Sequence, residues 1–258
     1  MEKVNLYKKR DNALREKFND IAEEYEEYRF TYPEKLFDDI ICYSGEGRKA
    51  LEIGIGTGKA TPFFLKNGYK VVAVEPVKNM LEVAKRKFSD ESIEFIHSTF
   101  EELEAVDQYD LIYAASSFQW VNGGNRLGKV YTMLRKGGVF ARFKTVNIIL
   151  PEKNTNNTIL IEAYKRFLPD YLPMDVSNTN MRYEEYESKG FSDLKRNEYY
   201  IDHELEIEKY VKLVNTYTEY LVLDVSLRKE FEDYIIGKMA GEKVAITQKC
   251  TLYLARKH

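Results

Sequence analysis

Apolar residues in the middle of the chain follow two patterns that alternate along the sequence. Short apolar runs are separated by stretches in which apolar residues recur three and four positions apart, the spacing of one helix face. The runs predict five strands, at residues 50–55, 71–75, 93–96, 109–115 and 139–146. The helix before the fifth strand is predicted to end at Gly137-Gly138, since glycine commonly follows the last helical turn. This alternation predicts an α/β fold, a parallel sheet covered by helices on both faces.

The N-terminal part of the chain precedes this alternation. One amphipathic helix is predicted from apolar residues at helical spacing, namely Phe18, Ile21, Ala22, Tyr25 and Tyr28. It ends before Tyr32-Pro33, because the residue before a proline avoids the helical region. A second helix is predicted over residues 33–43, with the proline at its start.

The alternation stops after Val146. Loops and helices are predicted beyond it, and further strands at 194–201 and 244–255. The sequence therefore predicts four parts. They are an N-terminal helical lid (1–43), a ligand-binding α/β core (44–146), a lid insertion (147–192) and the remaining core strands and helices (193–258).

Three glycines at alternate positions, Gly54, Gly56 and Gly58, follow the first predicted strand. Glycines there let the backbone turn sharply and let a ligand approach where a Cβ would collide. A dinucleotide fingerprint, G-x-G-x-x-G, would need glycine at position 59, which is Lys59. A phosphate loop, G-x-x-x-x-G-K-[ST], would need glycine at 53 and a hydroxyl at 60, where the chain has isoleucine and alanine. The remaining pattern is E-x-G-x-G-x-G.

A second signal for a nucleoside ligand is Glu75, at the end of the second predicted strand. It follows Gly54 by 75 − 54 = 21 residues, close to the spacing of about 20 at which an acid meets ribose hydroxyls. A carboxylate accepts hydrogen bonds from both hydroxyls and repels a phosphate there. Glu75 therefore favours a ligand with a free ribose, such as S-adenosylmethionine (SAM) or NAD, over NADP.

Composition excludes several other classes of function. The chain has 258 residues, of which 44% are hydrophobic and 31% charged, and its net charge of −3 gives no overall attraction to nucleic acid. The two cysteines, Cys42 and Cys250, form no metal-binding spacing and predict free thiols in a reducing cytosol. The sequence shows no apolar leader core and no run long enough to span a bilayer, so we expect a cytoplasmic protein with no membrane contact.

The pattern E-x-G-x-G-x-G, from Glu52 to Gly58, resembles motif I of the class I SAM-dependent methyltransferases. The segment from Phe18 to Pro33 resembles the start of a bacterial small-molecule group related to trans-aconitate methyltransferase, with Phe30-Thr31 departing from that pattern. The resemblance covers nearly the whole chain. It implies a Rossmann-like, seven-stranded, mostly parallel sheet whose last strand inserts antiparallel, with a helical lid.

The resemblance also implies which residues bind SAM. Arg29 would pair with the methionyl carboxylate, although a surface arginine at a helix end is an equal alternative. Phe100 and Met80 would pack on the adenosine, although both also suit the core. The predicted cofactor-binding residues are Tyr25, Arg29, Glu52, Gly54, Gly56, Thr57, Gly58, Glu75, Pro76, Met80, Thr99, Phe100, Glu101 and Ser116. Tyr25, Tyr28 and Arg29 are expected to close over SAM as the lid.

The loop after the fourth strand resembles the family's acceptor-binding loop, and there Gln119 and Trp120 are predicted to bind the substrate. Many relatives carry histidine where this chain has Gln119, and glutamine cannot act as a base at neutral pH. His97 is expected to be structural and His203 to lie at the surface. We therefore predict no catalytic base and no metal.

The leading prediction is a SAM-dependent methyltransferase acting on a small molecule, with a carboxylate or another oxygen or nitrogen as acceptor. The loop lacks [DN]-P-P-[YF], the signature of enzymes that methylate exocyclic amines of bases, which argues against a nucleic-acid partner. One alternative is a non-catalytic, SAM-binding regulatory protein. Another, an NAD oxidoreductase, is disfavoured by Lys59. The chain is expected to be a monomer or a homodimer.

Overall fold

A computed structural model describes residues 12–105, 109–171, 173 and 182–258. These residues form one seven-stranded sheet with the strand order β3-β2-β1-β4-β5-β7-β6. Strands β1 to β5 are parallel, whereas β7 lies antiparallel between β5 and β6. The strands are β1 (Lys49–Ile53), β2 (Lys70–Val74), β3 (Ile93–Ile96), β4 (Tyr109–Ala115), β5 (Leu134–Ile148), β6 (Phe191–Glu206) and β7 (Lys243–Lys257). The predicted seven-stranded, mostly parallel α/β fold is confirmed.

Helices connect the strands and cover the sheet. They are α1 (Asn12–Glu16), α2 (Ala22–Tyr28), α3 (Glu34–Ser44), α4 (Thr61–Lys66), α5 (Lys78–Lys87), α6 (Arg126–Met133), α7 (Asn156–Phe167), α8 (Tyr183–Glu187), α9 (Ile207–Val214), α10 (Thr218–Leu221) and α11 (Val225–Met239). Among the described residues, no helix has the length and apolar character needed to cross a bilayer.

Two hydrophobic cores lie on opposite faces of the sheet, because successive strand residues point to opposite sides. On β4, Leu111 and Tyr113 join the core formed with α3, α4 and α5. Ile112 and Ala114 join the other, formed with α6 and α8. Helices therefore cover both faces, as the alternation of elements predicts.

A third hydrophobic cluster joins α7, α9 and α11 to the start of β7. Phe231 of α11 lies at its centre, fully buried, with its ring 5.0 Å from that of Tyr164. The hydroxyls of Tyr164 and Tyr210 lie 2.6 Å apart, so they satisfy each other inside the cluster. The segment after β5 thus contributes to a core of its own.

Two predicted helix boundaries are wrong. The first predicted helix is divided into α1, a 3₁₀ turn at Lys17–Ile21, and α2. Helix α6 ends at Met133 instead of at Gly137-Gly138, since Leu134 already pairs with Tyr109 of β4. The register shifts before Leu111 pairs with Val139, and Gly137 takes a positive φ of 77° inside that irregularity.

Strand β6 is longer than its sequence pattern predicts. The pattern covers residues 194–201, whereas β6 runs over Phe191–Glu206. Pairing with β7 continues from Phe191 opposite Lys257 to Glu206 opposite Lys243. Because this pairing is made with residues far along the chain, the local sequence of β6 carries no sign of where it ends.

Candidate functional site

A cavity that is partly open to solvent lies beyond the carboxyl ends of β1, β2, β3 and β4. Crevices at the carboxyl ends of the strands are where open α/β sheets bind ligands. The described residues that line it come from the N-terminal segment and from the loops after these strands. They are Arg15, Phe18, Tyr25, Tyr32, Ile53, Gly54, Ile55, Gly56, Thr57, Lys59, Ala60, Val74, Glu75, Pro76, Val77, Met80, Phe100, Glu101, Ala115, Ser116, Ser117, Trp120 and Val121.

The three loop glycines all have positive φ but serve different purposes. A Cβ on Gly54 would lie 2.7 Å from Ser117 Cβ, and one on Gly58 would lie 2.3 Å from the Phe88 ring, so neither position has room for a side chain. A Cβ on Gly56 would meet only Met80 Cε, at 3.5 Å. Gly54 and Gly56 line the cavity, whereas Gly58 does not. Gly58 instead packs against Phe88, and its contact with the ligand stays a prediction.

Glu75 lies against the glycine loop, so the two sequence features that predict a nucleoside ligand are in direct contact. Its Oε2 accepts a hydrogen bond from the backbone N–H of Gly56 at 2.8 Å, and its Oε1 accepts one from Val77 at 2.9 Å. The side chain lines the cavity and is buried, and burial raises the pKa of its carboxyl above the ordinary value despite these two hydrogen bonds. A carboxylate oxygen accepts more than one hydrogen bond, so both oxygens keep capacity for the hydroxyls of a ligand.

Glu52 lies beneath the loop rather than in the cavity. It is fully buried, and Thr61 and Tyr113 both donate to its Oε2 at 2.8 Å. Its Oε1 is buried without a hydrogen-bond partner among the described residues. Burial raises the pKa of this carboxyl to about 8, so the neutral form dominates at pH 7. The Glu52 side chain points towards Thr61 and Tyr113 and lies outside the cavity lining, and a cofactor contact by Glu52 stays a prediction.

The N-terminal segment covers the cavity with aromatic side chains. Phe18 packs edge-on against Tyr25 and against Trp120, with ring centroids 6.0 and 5.8 Å apart. Asn19 holds the segment to α5 through two hydrogen bonds with Asn79, of 3.0 and 2.9 Å. Arg15, Phe18 and Tyr32 were absent from the predicted site, since their apolar spacing and charge are those of any amphipathic helix.

Arg29 does not line the cavity. Its Nε donates to Thr216 Oγ1 at 2.8 Å and its Nη2 to the Thr216 carbonyl at 2.7 Å. The guanidinium lies over the rings of Tyr25 and Tyr217, at 5.2 and 4.4 Å from their centroids. The backbone turns extended at Arg29 after α2, with φ −69° and ψ 135°. Arg29 therefore joins α2 to the α9–α10 turn, and neither Arg29 nor Tyr28 lines the cavity. The pairing of Arg29 with a cofactor carboxylate stays a prediction.

The loops after β3 and β4 form the remaining wall. Phe100, Glu101, Ser116 and Trp120 line the cavity, as do Thr57, Pro76 and Met80 from the earlier loops. Thr99 is not among the lining residues, and its hydroxyl donates to Glu102 Oε2 at 2.9 Å. A cofactor contact by Thr99 stays a prediction.

Gln119 does not line the cavity either. Its Nε2 donates to the Ser116 carbonyl at 2.5 Å, supporting a residue whose φ is +55°. The Gln119 side chain thus supports Ser116, whose Oγ accepts a hydrogen bond from Tyr32 at 3.1 Å. A substrate contact by Gln119 stays a prediction.

The lining residues include no histidine and no cysteine within the described part of the chain. Burial raises the pKa of the phenols of Tyr25 and Tyr32, so both remain protonated and act as hydrogen-bond donors. His97 bonds to the Pro76 carbonyl at 3.0 Å, and the His203 ring stacks on Phe30 at 3.7 Å. Nor do the described residues contain a group of acids, histidines and cysteines that could hold a metal ion.

Residues 51–141 match a family model described as a methyltransferase domain. That segment begins in β1, ends in β5 and contains both the glycine loop and Glu75. This part of the chain is therefore similar to a methyltransferase domain. The predicted enzyme class, a SAM-dependent methyltransferase, and its cofactor SAM agree with this match.

Curated relatives match a little under half of the chain. The chain is 32% identical over 125 residues to the probable SAM-dependent methyltransferase CRG1 of Saccharomyces cerevisiae, a match covering 45% of this chain and 43% of the yeast protein. It is 31% identical over 132 residues to a malonyl-[acyl-carrier protein] O-methyltransferase of Priestia megaterium, covering 48% of each. The chain thus spans about half the length of the curated relatives it matches.

Solved structures share the fold over most of the chain. A protein described as a type II methyltransferase, from Anaeromyxobacter dehalogenans, superposes with a TM-score of 0.65 at 17% identity, covering 90% of this chain and all of that one. Phosphoethanolamine N-methyltransferase 2 of Haemonchus contortus, solved with S-adenosylhomocysteine, gives 0.53 at 16% identity, covering 93% of this chain and 57% of that one. These similarities confirm the class I methyltransferase fold.

Proposed function

We propose that this protein is a SAM-dependent methyltransferase that acts on a small-molecule acceptor. The observation that carries the proposal is the hydrogen bond between the Gly56 N–H and the Glu75 carboxylate, at the wall of one cavity. It unites the glycine loop and the ribose-binding acid, two features that a nucleoside ligand requires together. Thr57 adds a buried hydroxyl with no hydrogen-bond partner among the described residues.

Each part of the cavity has a role in this function. Glu75 would accept hydrogen bonds from the ribose hydroxyls, while Met80, Val77 and Phe100 would pack on the adenine. Gly56 leaves room for the ligand beside the loop. Tyr25, Phe18 and Trp120 would enclose the sulfonium, exclude water and attract its positive charge through their ring faces, an interaction of about 0.5–2 kcal/mol.

When bound, SAM supplies an electrophilic methyl group on a positively charged sulfur. An acceptor oxygen forms a bond to this methyl carbon while the carbon–sulfur bond breaks, and that electron pair remains on the sulfur of S-adenosylhomocysteine. Holding the acceptor in line accounts for about 7–11 kcal/mol of the barrier. A carboxylate acceptor needs no deprotonation, which suits a cavity wall without a neutral base. The O-methyltransferase from Priestia megaterium supports an oxygen acceptor.

A membership in the trans-aconitate-related group, a cytoplasmic location, a monomeric or homodimeric state and the lack of a nucleic-acid partner stay predictions. The division of the chain into core and two lids also stays a prediction. The described part of the proposed lid insertion, 147–192, contributes no residue to the cavity lining.

Titration calorimetry with SAM, S-adenosylhomocysteine and NAD tests the cofactor. We expect both sulfur nucleosides to bind and NAD to bind far more weakly. The variant Gly56→Val places a side chain in the ligand's path and should abolish this binding. Gly68→Val is the matched control, because Gly68 also has a positive φ (77°, against 57° for Gly56) but nothing within 4 Å of its added Cβ, so it shares the backbone strain alone.

Tight binding of NAD without binding of SAM would refute the proposal that SAM is the cofactor. Equal loss of binding in Gly56→Val and Gly68→Val would reduce Gly56 to a turn residue. Transfer of a labelled methyl group from SAM, measured over short-chain carboxylates, alcohols and amines, tests the reaction. SAM binding without transfer to any class would favour the regulatory alternative.

A further inference from the structure

Two cationic side chains line the cavity, and their surroundings differ. Arg15 lies near Glu75 and Glu102, and its charge lowers the pKa of both carboxyls. Lys59 instead lies near Glu26, Lys87 and Arg29. Lys59 immediately follows the third loop glycine, and its side chain is only 11% exposed. A lysine at this position excludes the dinucleotide turn. That exclusion does not explain what the Lys59 side chain itself does.

The charges around Lys59 do not balance. Its Nζ donates to the Glu26 carbonyl at 2.6 Å and lies 3.5 Å from Glu26 Oε2. Lys87 donates to the other oxygen of the same carboxylate, at 2.7 Å. Lys59 and Lys87 thus share one acid, Glu26, and Arg29 adds a further positive charge near Lys59. An ammonium has three N–H donors, so Lys59 keeps one for a ligand.

A second feature beside Lys59 also calls for a ligand. Thr57 is 1% exposed and lines the cavity, and its Oγ1 has no hydrogen-bond partner among the described residues. It lies next to the Glu26 carboxylate without reaching hydrogen-bond geometry with it. An ammonium and a hydroxyl that both face the cavity are complementary to an anion with two oxygens, which is a carboxylate.

The position of Lys59 relative to Glu75 fits the dimensions of the cofactor. Gly56, whose N–H binds Glu75, precedes Lys59 by three residues, a span of at most about 10 Å. A ribose held at Glu75 therefore leaves Lys59 within reach of a substituent on its 5′ carbon. The apolar residues Val77 and Phe100 line the cavity for the base.

We propose that Lys59, aided by Thr57, binds the carboxylate of the cofactor's amino-acid tail and so selects for ligands that carry this tail. The inference rests on the proposed function, since it concerns the same cavity. It moves the carboxylate contact from Arg29, which is committed to Thr216, to a residue in the glycine loop itself.

The test compares two ligands that differ only in the tail. S-adenosylhomocysteine carries the carboxylate, whereas 5′-methylthioadenosine has the same nucleoside and sulfur without it. Lys59→Gln keeps an N–H donor for the Glu26 carbonyl but removes the charge. We expect its affinity for S-adenosylhomocysteine to fall about tenfold to a hundredfold, and its affinity for methylthioadenosine to change by less than about threefold. Lys59→Arg should keep most of the preference for the longer ligand.

Lys87→Gln is the matched comparison, because Lys87 binds the same carboxylate of Glu26 but does not line the cavity. It should change the affinities for both ligands by the same factor. If Lys59→Gln also changes both equally, or changes neither, Lys59 only attaches α2 and the inference is overturned. A wild-type protein that binds neither ligand would instead refute the proposed function.

Glu26→Gln provides a second variant that does not alter Lys59. It removes the acid that competes for the ammonium while the carbonyl of residue 26 remains as an acceptor. The affinity for S-adenosylhomocysteine relative to methylthioadenosine should then rise. A ratio that falls or stays constant contradicts the proposal, whether or not the Lys59 variants fold.

Discussion

The half of the chain that lines the cavity and the half that follows β5 treat their polar groups in opposite ways. The lining residues run from Arg15 to Val121, and several carry donors or acceptors with unused capacity, such as Glu75 and Thr57. In the second half, Asn157 donates to the carbonyls of Leu150 and Ala245 and accepts from the Ala245 N–H. Glu75 and Thr57 thus have unused polar capacity beside an open space, whereas the fully buried Asn157 spends its capacity on protein groups.

Aromatic residues show the same contrast. In the second half, Phe231 packs against the rings of Tyr164, Phe167 and Tyr220 and is fully buried. In the first half, Phe18 and Trp120 meet edge-on across the opening of the cavity. The rings around Phe231 pack against one another, so changes there should affect stability alone. The rings of Phe18 and Trp120 border the cavity, so changes around them should affect binding.

The largest expected effect is on the aromatic cluster of the second half. Phe231→Ala should lower the free energy of unfolding by about 3–5 kcal/mol, because it removes a fully buried ring and leaves a cavity. Urea denaturation measures this loss. The affinity of the folded protein for S-adenosylhomocysteine should stay within about twofold of the wild type, and a large change would show that the two halves are coupled.

An intermediate effect on ligand affinity is expected for Glu75, the acid proposed to bind the ribose. Glu75→Gln should weaken binding of S-adenosylhomocysteine by about 1.5–3 kcal/mol, since the hydrogen bonds made by a charged acceptor are lost. Calorimetry measures this change.

Glu232→Gln in the second half serves as the control. Glu232 accepts hydrogen bonds from Tyr220 and Asn215 and lies outside the cavity lining. It should alter stability without altering affinity; a larger loss of affinity in Glu232→Gln than in Glu75→Gln would contradict the contrast between the halves.

The last effect is on the pH dependence of stability, and it concerns the buried acid under the glycine loop. The pKa of Glu52 is about 8 in the folded protein against an ordinary 4.5, so between these values the folded chain holds a proton that the unfolded chain has lost. Stability therefore falls as pH rises from about 4.5 to about 8, by at most about 1.4 kcal/mol per pH unit. Glu52→Gln has no such proton and should show a flatter dependence of unfolding free energy on pH. Parallel curves for the two proteins would show that Glu52 is ionised when folded.

The sequence was a good guide where a function depends on neighbours along the chain. The glycine loop and Glu75 are readable because strands β1 and β2 are adjacent, so residues about 20 apart meet at one edge. It was silent on the directions of Glu52, Thr99 and Gln119, whose side chains bond to protein groups and lie outside the cavity lining. A motif identifies the position of a side chain on the backbone, whereas packing decides its direction.

By itself, the sequence determined the α/β class, most of the strands, the loop that turns through positive φ and the acid that meets it. These depend on local periodicity and on glycine's lack of a Cβ, which act over a few residues. Only the tertiary structure decided that Arg29 turns to Thr216, that Lys59 enters the cavity beside Thr57, and that β6 extends along the whole of β7. Those outcomes depend on partners that are distant in sequence, and such partners meet only once the chain is folded.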